Sequence, residues 1–226
     1  MLEILHQDAA LLAVAKPPGR LVIPGRGPAE RTVQAELEEG FGRLWVVHRL
    51  DRGTSGVLLF ARSAAAHRAV NLAFDRREVG KRYLAFVRGP LPDTLRIDAP
   101  LAPARKGRMR LARPGEAHAK EAATAFRVRE RFARTEVTAL VEASPETGRT
   151  HQIRVHLAHA GAPLCLDPDY GPRQPLREEG GATLLDRTPL HAAALELAHP
   201  ATGARLRLEA PLPDDLRRLL YWARGG

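Results

Sequence analysis

Val47-His48-Arg49-Leu50-Asp51-Arg52-Gly53-Thr54-Ser55-Gly56 runs straight into Val57-Leu58-Leu59-Phe60-Ala61. A polar loop rich in glycine thus separates two apolar runs, Leu44–His48 and Val57–Ala61, each of strand length. Gly53 and Gly56 let the backbone turn tightly or let a ligand approach it. Asp51 stands between Arg49 and Arg52. A carboxylate in cationic surroundings stays ionised, which suits a nucleophile or base better than an acid. A plain surface turn, with Asp51 paired to Arg52, fits the same residues. This segment alone leaves both readings open.

Outward from the loop, turn residues punctuate short apolar runs. Upstream, strands are expected at Ile4–His6 and Leu11–Ala15, the second ended by Pro17-Pro18-Gly19. Ile23–Glu30 reads as loop. Thr32 caps a short helix through Glu39 that Gly40 and Gly42 stop. Downstream, Ser63 caps a helix from Ala64 to about Asp75. Strands follow at Lys81–Val87 and Leu95–Ile97. Pro100–Pro114 reads as an exposed hairpin or loop, followed by strands at Ala122–Val128 and Glu136–Val141. A helix from His151 to about Ala160 stops at Gly161, and Pro163–Gly181 is irregular. Leu190–Leu197 and Arg205–Leu208 are strands, and Asp214–Ala223 is a helix with Leu216, Leu219, Leu220 and Ala223 on one face. Many strands with few scattered helices mean an α+β fold with a largely antiparallel mixed β-sheet. The expectation is one domain over residues 1–226.

Composition narrows the partners. Lys plus Arg total 35 against 26 for Asp plus Glu, a net charge of +9. Such a balance favours a polyanion. The basic residues are nearly all Arg, whose planar fork suits phosphate. The single cysteine, Cys165, allows no internal disulfide and fits a reducing compartment. No apolar run reaches membrane-spanning length, and the N-terminus lacks the pattern of a signal peptide. A cytoplasmic protein is expected.

Several common sites are missing. There is no phosphate-loop motif, and Gly25-Arg26-Gly27 lacks the third glycine of a dinucleotide fingerprint. Gly53-Thr54-Ser55-Gly56 is not a nucleophile elbow, because Val57 follows. His151, His156 and His159 cannot all face one ion from one helix. Neither a metal nor a nucleotide cofactor is expected.

A second segment concentrates chemistry: Thr147-Gly148-Arg149-Thr150-His151-Gln152-Ile153-Arg154-Val155-His156. It opens a helix, so backbone N–H groups and Arg149 could hold an anion. Arg154 needs a partner if it is buried; Asp51 would serve. A surface arginine is the other reading.

Taken together, these stretches resemble the RluA family of pseudouridine synthases. Lys16-Pro17-Pro18-Gly19 looks like its N-terminal KP-x-G element, and His48–Arg62 is similar to its central signature. Lys81-Arg82-Tyr83-Leu84-Ala85 matches the K-x-Y-x-A element. Gly148–His156 matches the third signature, followed by Gly161, Pro163, Asp167, Tyr170 and Gly171. His191-Ala192 and His199-Pro200 match two late elements. Three positions depart from the pattern: Ala119, Ala162 and Leu166, which are expected to shape loops near the substrate groove.

The resemblance implies a pseudouridine synthase fold with a central RNA-binding cleft. It implies that Asp51 is the catalytic aspartate, that Tyr83 stacks on the target uracil, and that Arg154 pairs with Asp51. Arg49 would fill the gap left by a flipped base. His48, Arg52, Thr54, Lys81, Arg82, Arg149, His151 and Gln152 are candidate substrate contacts. Arg76 and Arg77, with the cluster Arg105, Lys106, Arg108, Arg110 and Arg113, are candidate contacts to the RNA backbone. The implied reaction isomerises uridine in rRNA or tRNA and uses no cofactor. Lys16 lies too near the start for a preceding RNA-binding domain of about 50 residues, so a stand-alone, monomeric catalytic domain is expected. Two other readings use the same residues. One is a catalytically silent RNA-binding protein or RNA chaperone on this fold. The other, a nucleoside hydrolase, is weakened by the lack of a second positioned carboxylate.

Overall fold

The computed structural model describes residues 2–25 and 30–226. The expected loop from Ile23 to Glu30 therefore lies partly outside the described residues. The chain forms two compact units, residues 1–81 with 191–212, and residues 82–190 with 213–226.

In the first unit, β1 (Glu3–Gln7) and β2 (Leu11–Lys16) form an antiparallel hairpin. Asp8 shapes its turn by accepting from the N–H groups of Ala10 and Leu11 at 2.7 and 2.8 Å. Helix α1 (Val33–Phe41) is capped by Thr32, whose hydroxyl accepts from Ala35 N–H. It ends at Gly42, with φ +71°, so Gly40 lies inside the helix instead of stopping it.

β3 is only Trp45–Val46, shorter than expected. It pairs with β4 (Ser55–Ala61) through Trp45 and Val46. Beyond them His48 Nε2 accepts the Leu59 N–H at 2.9 Å, so a side chain takes the place of the next ladder bond. Every residue of β4 is buried, as a continuous apolar strand with neighbours on both edges requires. Helix α2 (Ala64–Asp75) begins at its Ser63 cap, as its sequence predicts.

The second unit carries β5, which starts as Gly80–Val87 at the unit boundary, then β6 (Thr94–Asp98), β7 (Leu101–Pro103), β8 (Met109–Leu111), β9 (Ala123–Arg131) and β10 (Ala139–Pro145). The sheet order is β5-β10-β9-β6, antiparallel throughout. β10 begins three residues later than its alternation suggests. Thr138 is occupied at the corner instead: its hydroxyl donates to Gly89 O and accepts from Gly89 N–H. β7 and β8 form a separate hairpin, closed by a single helical turn at Arg105–Gly107.

Helix α3 (Gln152–His159) lies on this sheet, with Ile153 and Leu157 packed among Ala85, Phe126 and Val141. Residues 152–157 are all buried, so α3 is enclosed on every side up to its last two residues. A small hairpin, β11 (Leu176–Arg177) with β12 (Thr183–Leu185), lies outside the strands foreseen from sequence.

The chain then forms β13 (Leu190–Ala198) and β14 (Arg205–Glu209), an antiparallel hairpin that completes the first unit, and α4 (Asp214–Ala223), which belongs to the second. β13 lies parallel to β4, with His191 opposite Ser55 and Ala192 opposite Gly56. Within each unit the other described pairs are antiparallel. At Gly56 (φ +118°) a Cβ would lie 2.2 Å from Ala192 O, so only glycine allows the approach. Among the described residues no helix is long and apolar enough to cross a membrane.

Candidate active site

The Asp51 loop is gripped by its main chain. Asp51 O accepts from Thr54 N–H at 3.1 Å, and Arg52 O accepts from Gly19 N–H at 2.8 Å. Lys16, only 1% exposed, sends its ammonium to three carbonyls: Arg20 O at 2.8 Å, Pro17 O at 2.9 Å and Arg52 O at 3.2 Å. A buried ammonium is tolerated only when its donors are satisfied in this way. One lysine thus ties the Pro17–Arg20 turn to the Asp51 loop.

Around Asp51, the arginines Arg49 and Arg52 are exposed while Leu50 and Thr54 are buried. Arg52 pairs with Glu30 at 2.5 Å, not with its neighbour, so the simple surface-turn reading does not describe this loop. His48 was expected among the substrate contacts. Its Nε2 instead takes the Leu59 N–H, and its ring stacks on Phe74 with centroids 5.6 Å apart. Burial, helped by the charge of Lys81, pushes its pKa down to about 4, so the ring stays neutral and serves the fold. The late-element His191 is also engaged by the fold, between Ser55 Oγ at 3.0 Å and Ala210 O at 3.2 Å.

In the second unit Arg154 is buried, which removes the surface-arginine reading. Asp167 grips it by the fork, with Nε to Oδ2 at 2.8 Å and Nη2 to Oδ1 at 2.7 Å. Asp169 Oδ2 accepts from Nη2 at 2.9 Å. The guanidinium also lies 5.0 Å from the centroid of the Tyr170 ring. Tyr170 OH accepts from Met109 N–H at 2.7 Å and meets His151 Nδ1 at 2.7 Å. Burial pushes this phenol's pKa up, so the hydroxyl keeps its proton. Tyr83 sits half-buried on β5 opposite Ala143.

Sequence reasoning assigned no role to Asp167, Asp169 or Tyr170. The available signal was the run Asp167-Pro168-Asp169-Tyr170 following a helix whose single arginine needed a carboxylate.

Other expectations need correction. Gln152 is not placed to contact substrate: it is 4% exposed and both ends of its amide are occupied. Its Oε1 accepts from Thr147 Oγ1 and Arg149 N–H, and its Nε2 donates to Ala123 O and Thr124 Oγ1. It closes the N-terminus of α3, where His151 is left-handed (φ +56°) and outside the helix proper. Arg149 is half-buried and donates to Glu121 O at 3.0 Å. Ala162 and Leu166 are buried core positions, so these departures do not shape an open groove.

The basic candidates divide. Arg76, Arg77, Arg105, Lys106 and Arg113 are exposed. Arg110 is held bidentately by Glu116 at 2.6 and 2.8 Å, which pushes the Glu116 pKa down to about 2. Its charge is neutralised, and it is a poor phosphate contact. Lys81 and Arg82 are half-buried, with Arg82 4.0 Å from Glu142.

His156, one of the three helix histidines, has both ring nitrogens engaged, by Thr124 Oγ1 and Ala99 O. A different cluster, His6, Asp8 and His199, has metal-like spacing. His199 Nδ1, however, accepts from the N–H groups of Ala201 and Thr202. Its Nε2 therefore carries the proton and donates to Asp8 Oδ2 at 2.9 Å. That leaves no lone pair for an ion, and the cluster reads as a clamp between the first hairpin and the turn after β13.

Comparison with known proteins adds independent findings. The family described as RNA pseudouridylate synthase matches residues 10–159. The chain is 39% identical to ribosomal large subunit pseudouridine synthase D of Xanthomonas campestris, over 97% of this chain and 68% of that protein. It is 41% identical to ribosomal large subunit pseudouridine synthase C of Escherichia coli O157:H7, over 96% of this chain and 68% of that protein. Among solved structures, human RNA pseudouridylate synthase domain containing 4 superposes with a TM-score of 0.75 at 29% identity, covering 98% of this chain and 93% of that one.

Proposed function

This chain belongs to the RNA pseudouridylate synthase family, in its RluA branch, and we propose that Asp51, Tyr83 and Arg154 are the residues with which it isomerises uridine. The activity is that of an isomerase converting uridine in RNA to pseudouridine. The glycosidic bond from C1′ to N1 breaks, the uracil turns, a bond from C1′ to C5 forms, C5 gives up its proton and N1 takes one up. Atoms are conserved, so no co-substrate is consumed.

Each assignment follows from what the residue can do. Asp51 is the nucleophile, presented on a loop whose main chain does the anchoring. The target base must leave its stack to be reached, and Tyr83 offers an aromatic face to it. Arg154 supplies the counter-charge in this reading, from a guanidinium held by Asp167 and Asp169. Arg49 fills the space the base vacates. Residues 1–226 act in it as one catalytic domain. Arg76, Arg77, Arg105 and Lys106 are the phosphate contacts. Large-subunit rRNA is the substrate to examine first, since both bacterial relatives described above are named for it. The protein acts on it as a monomer, in the cytoplasm.

The observation that carries this reading is the pairing of HRLDRGTSG with GRTHQIRVH in a chain about 40% identical to such synthases along almost its whole length. Asp51→Ala tests it. The variant should lose at least about 10³-fold in pseudouridine formation, as removal of a nucleophile does, while binding RNA as the wild type does. Activity near wild type would overturn the assignment of Asp51. Pseudouridine mapping of total RNA from a deletion strain identifies the substrate.

A further inference from the structure

We infer that the Arg108–Asp169 ion pair is a phosphate-displaceable latch, through which RNA docking on the β7–β8 hairpin sets the guanidinium of Arg154. The inference rests on the reading above, that Arg154 serves the isomerisation, and makes Asp169 a positioning residue with Arg108 as its sensor.

Asp169 divides its carboxylate between two arginines. Oδ2 accepts from Arg154 Nη2 at 2.9 Å, and Oδ1 lies 3.3 Å from Arg108 Nε. The two contacts differ in their surroundings. The Arg154 side chain is 7% exposed, whereas that of Arg108 is 37% exposed. An exposed pair at that separation is screened by water and weak. A phosphate offers Arg108 a charge-assisted, bidentate alternative. Beside Arg108 stand Arg105 and Lys106, both exposed and without a carboxylate partner among the described residues. An anion drawn to that turn meets Arg108 next.

When a phosphate takes Arg108, Asp169 belongs to Arg154 alone. Its hold tightens on the partner that is shielded from water. A mechanical tie runs alongside: Met109 N–H on β8 donates to Tyr170 OH, and the Tyr170 ring lies against the Arg154 guanidinium. The backbone N–H groups of Asp169 and Tyr170 donate to Asp167 Oδ1. Movement of the hairpin is therefore passed to the turn that grips Arg154.

The test follows the Nε–H resonance of Arg154 by nitrogen NMR while a uridine-free RNA hairpin is added. In the wild type the resonance should shift as RNA binds. In Arg108→Gln it should start near the RNA-bound position and move little. In Asp169→Asn it should not respond. In turnover assays Asp169→Asn should lower kcat about tenfold with KM close to wild type, and Asp169→Glu should restore part of it. A shift in Arg108→Gln equal to that of the wild type overturns the latch. So does a wild-type resonance that stays still with RNA bound, or a failure of the RNA to bind. An Arg154 shift in a wild type that makes no pseudouridine would keep the latch and remove the isomerase reading.

Discussion

The Asp51 loop and the Arg154 helix are built by opposite means. The loop is held by its backbone: Lys16, Gly19 and Thr54 all bond to carbonyls of residues 51 and 52. Arg154 is held by its side chain, in the fork of Asp167 and against Asp169. The difference matches the roles proposed above. A nucleophile must bring its own carboxylate to the substrate, which suits a loop gripped by the main chain; a counter-charge works by staying where it is, which suits a clamped guanidinium.

Four experiments press on that contrast. The largest effect should come from Asp167→Ala, which leaves a buried arginine without its bidentate partner. Loss of one member of such a pair costs about 3–5 kcal/mol, read as a lower urea midpoint; a loss under about 1 kcal/mol would mean Arg154 is not clamped as described. Lys16→Met should come next. It keeps the volume but removes the three hydrogen bonds that tie the Pro17–Arg20 turn to Arg52 O, at about 1–3 kcal/mol. If the loop is held by its backbone, kcat should fall further than stability alone explains, while RNA affinity changes little. Unchanged kcat would show that the loop holds its shape without Lys16.

The third concerns pH. His48 has its folded pKa pushed down to about 4, below the ordinary histidine value near 6.5. Between these values the unfolded chain binds a proton that the folded chain refuses. Stability from His48 is therefore complete above pH 6.5 and is lost as pH falls through 4, on the order of 3 kcal/mol in all. Urea midpoints at pH 7.5 and 5 should differ more for the wild type than for His48→Gln. Equal differences would mean that His48 is not held neutral.

The smallest effect separates the basic residues. Lys106→Gln should reduce the salt slope of RNA binding by about one. Arg110→Gln, whose charge Glu116 already neutralises, should leave it close to wild type. The reverse result would show that RNA displaces Glu116.

Elements governed by neighbours a few residues away were legible in the chain. Thr32 and Ser63 cap helices as their positions predict, and Gly161 closes α3 in a left-handed conformation (φ +77°). Strand ends fared worse wherever a distant side chain took over a ladder bond, as His48 does at Leu59 and Thr138 at Gly89. The site shows the same division. Candidate residues could be named from two signatures, but Gln152 and His48 proved to be scaffolding, because burial and saturation of hydrogen bonds are properties of packing.

By itself, then, the sequence determined the family and the reaction, since those depend on residue types in fixed order. Tertiary structure decided what holds those residues. Lys16 reaches Arg52 across 36 positions, Tyr170 reaches Met109 across 61, and Ser55 meets His191 across 136. No local periodicity encodes such pairs. They form because burying a charge or a polar group without a partner costs more than the fold can bear, and only the packed chain shows which partner lies within reach.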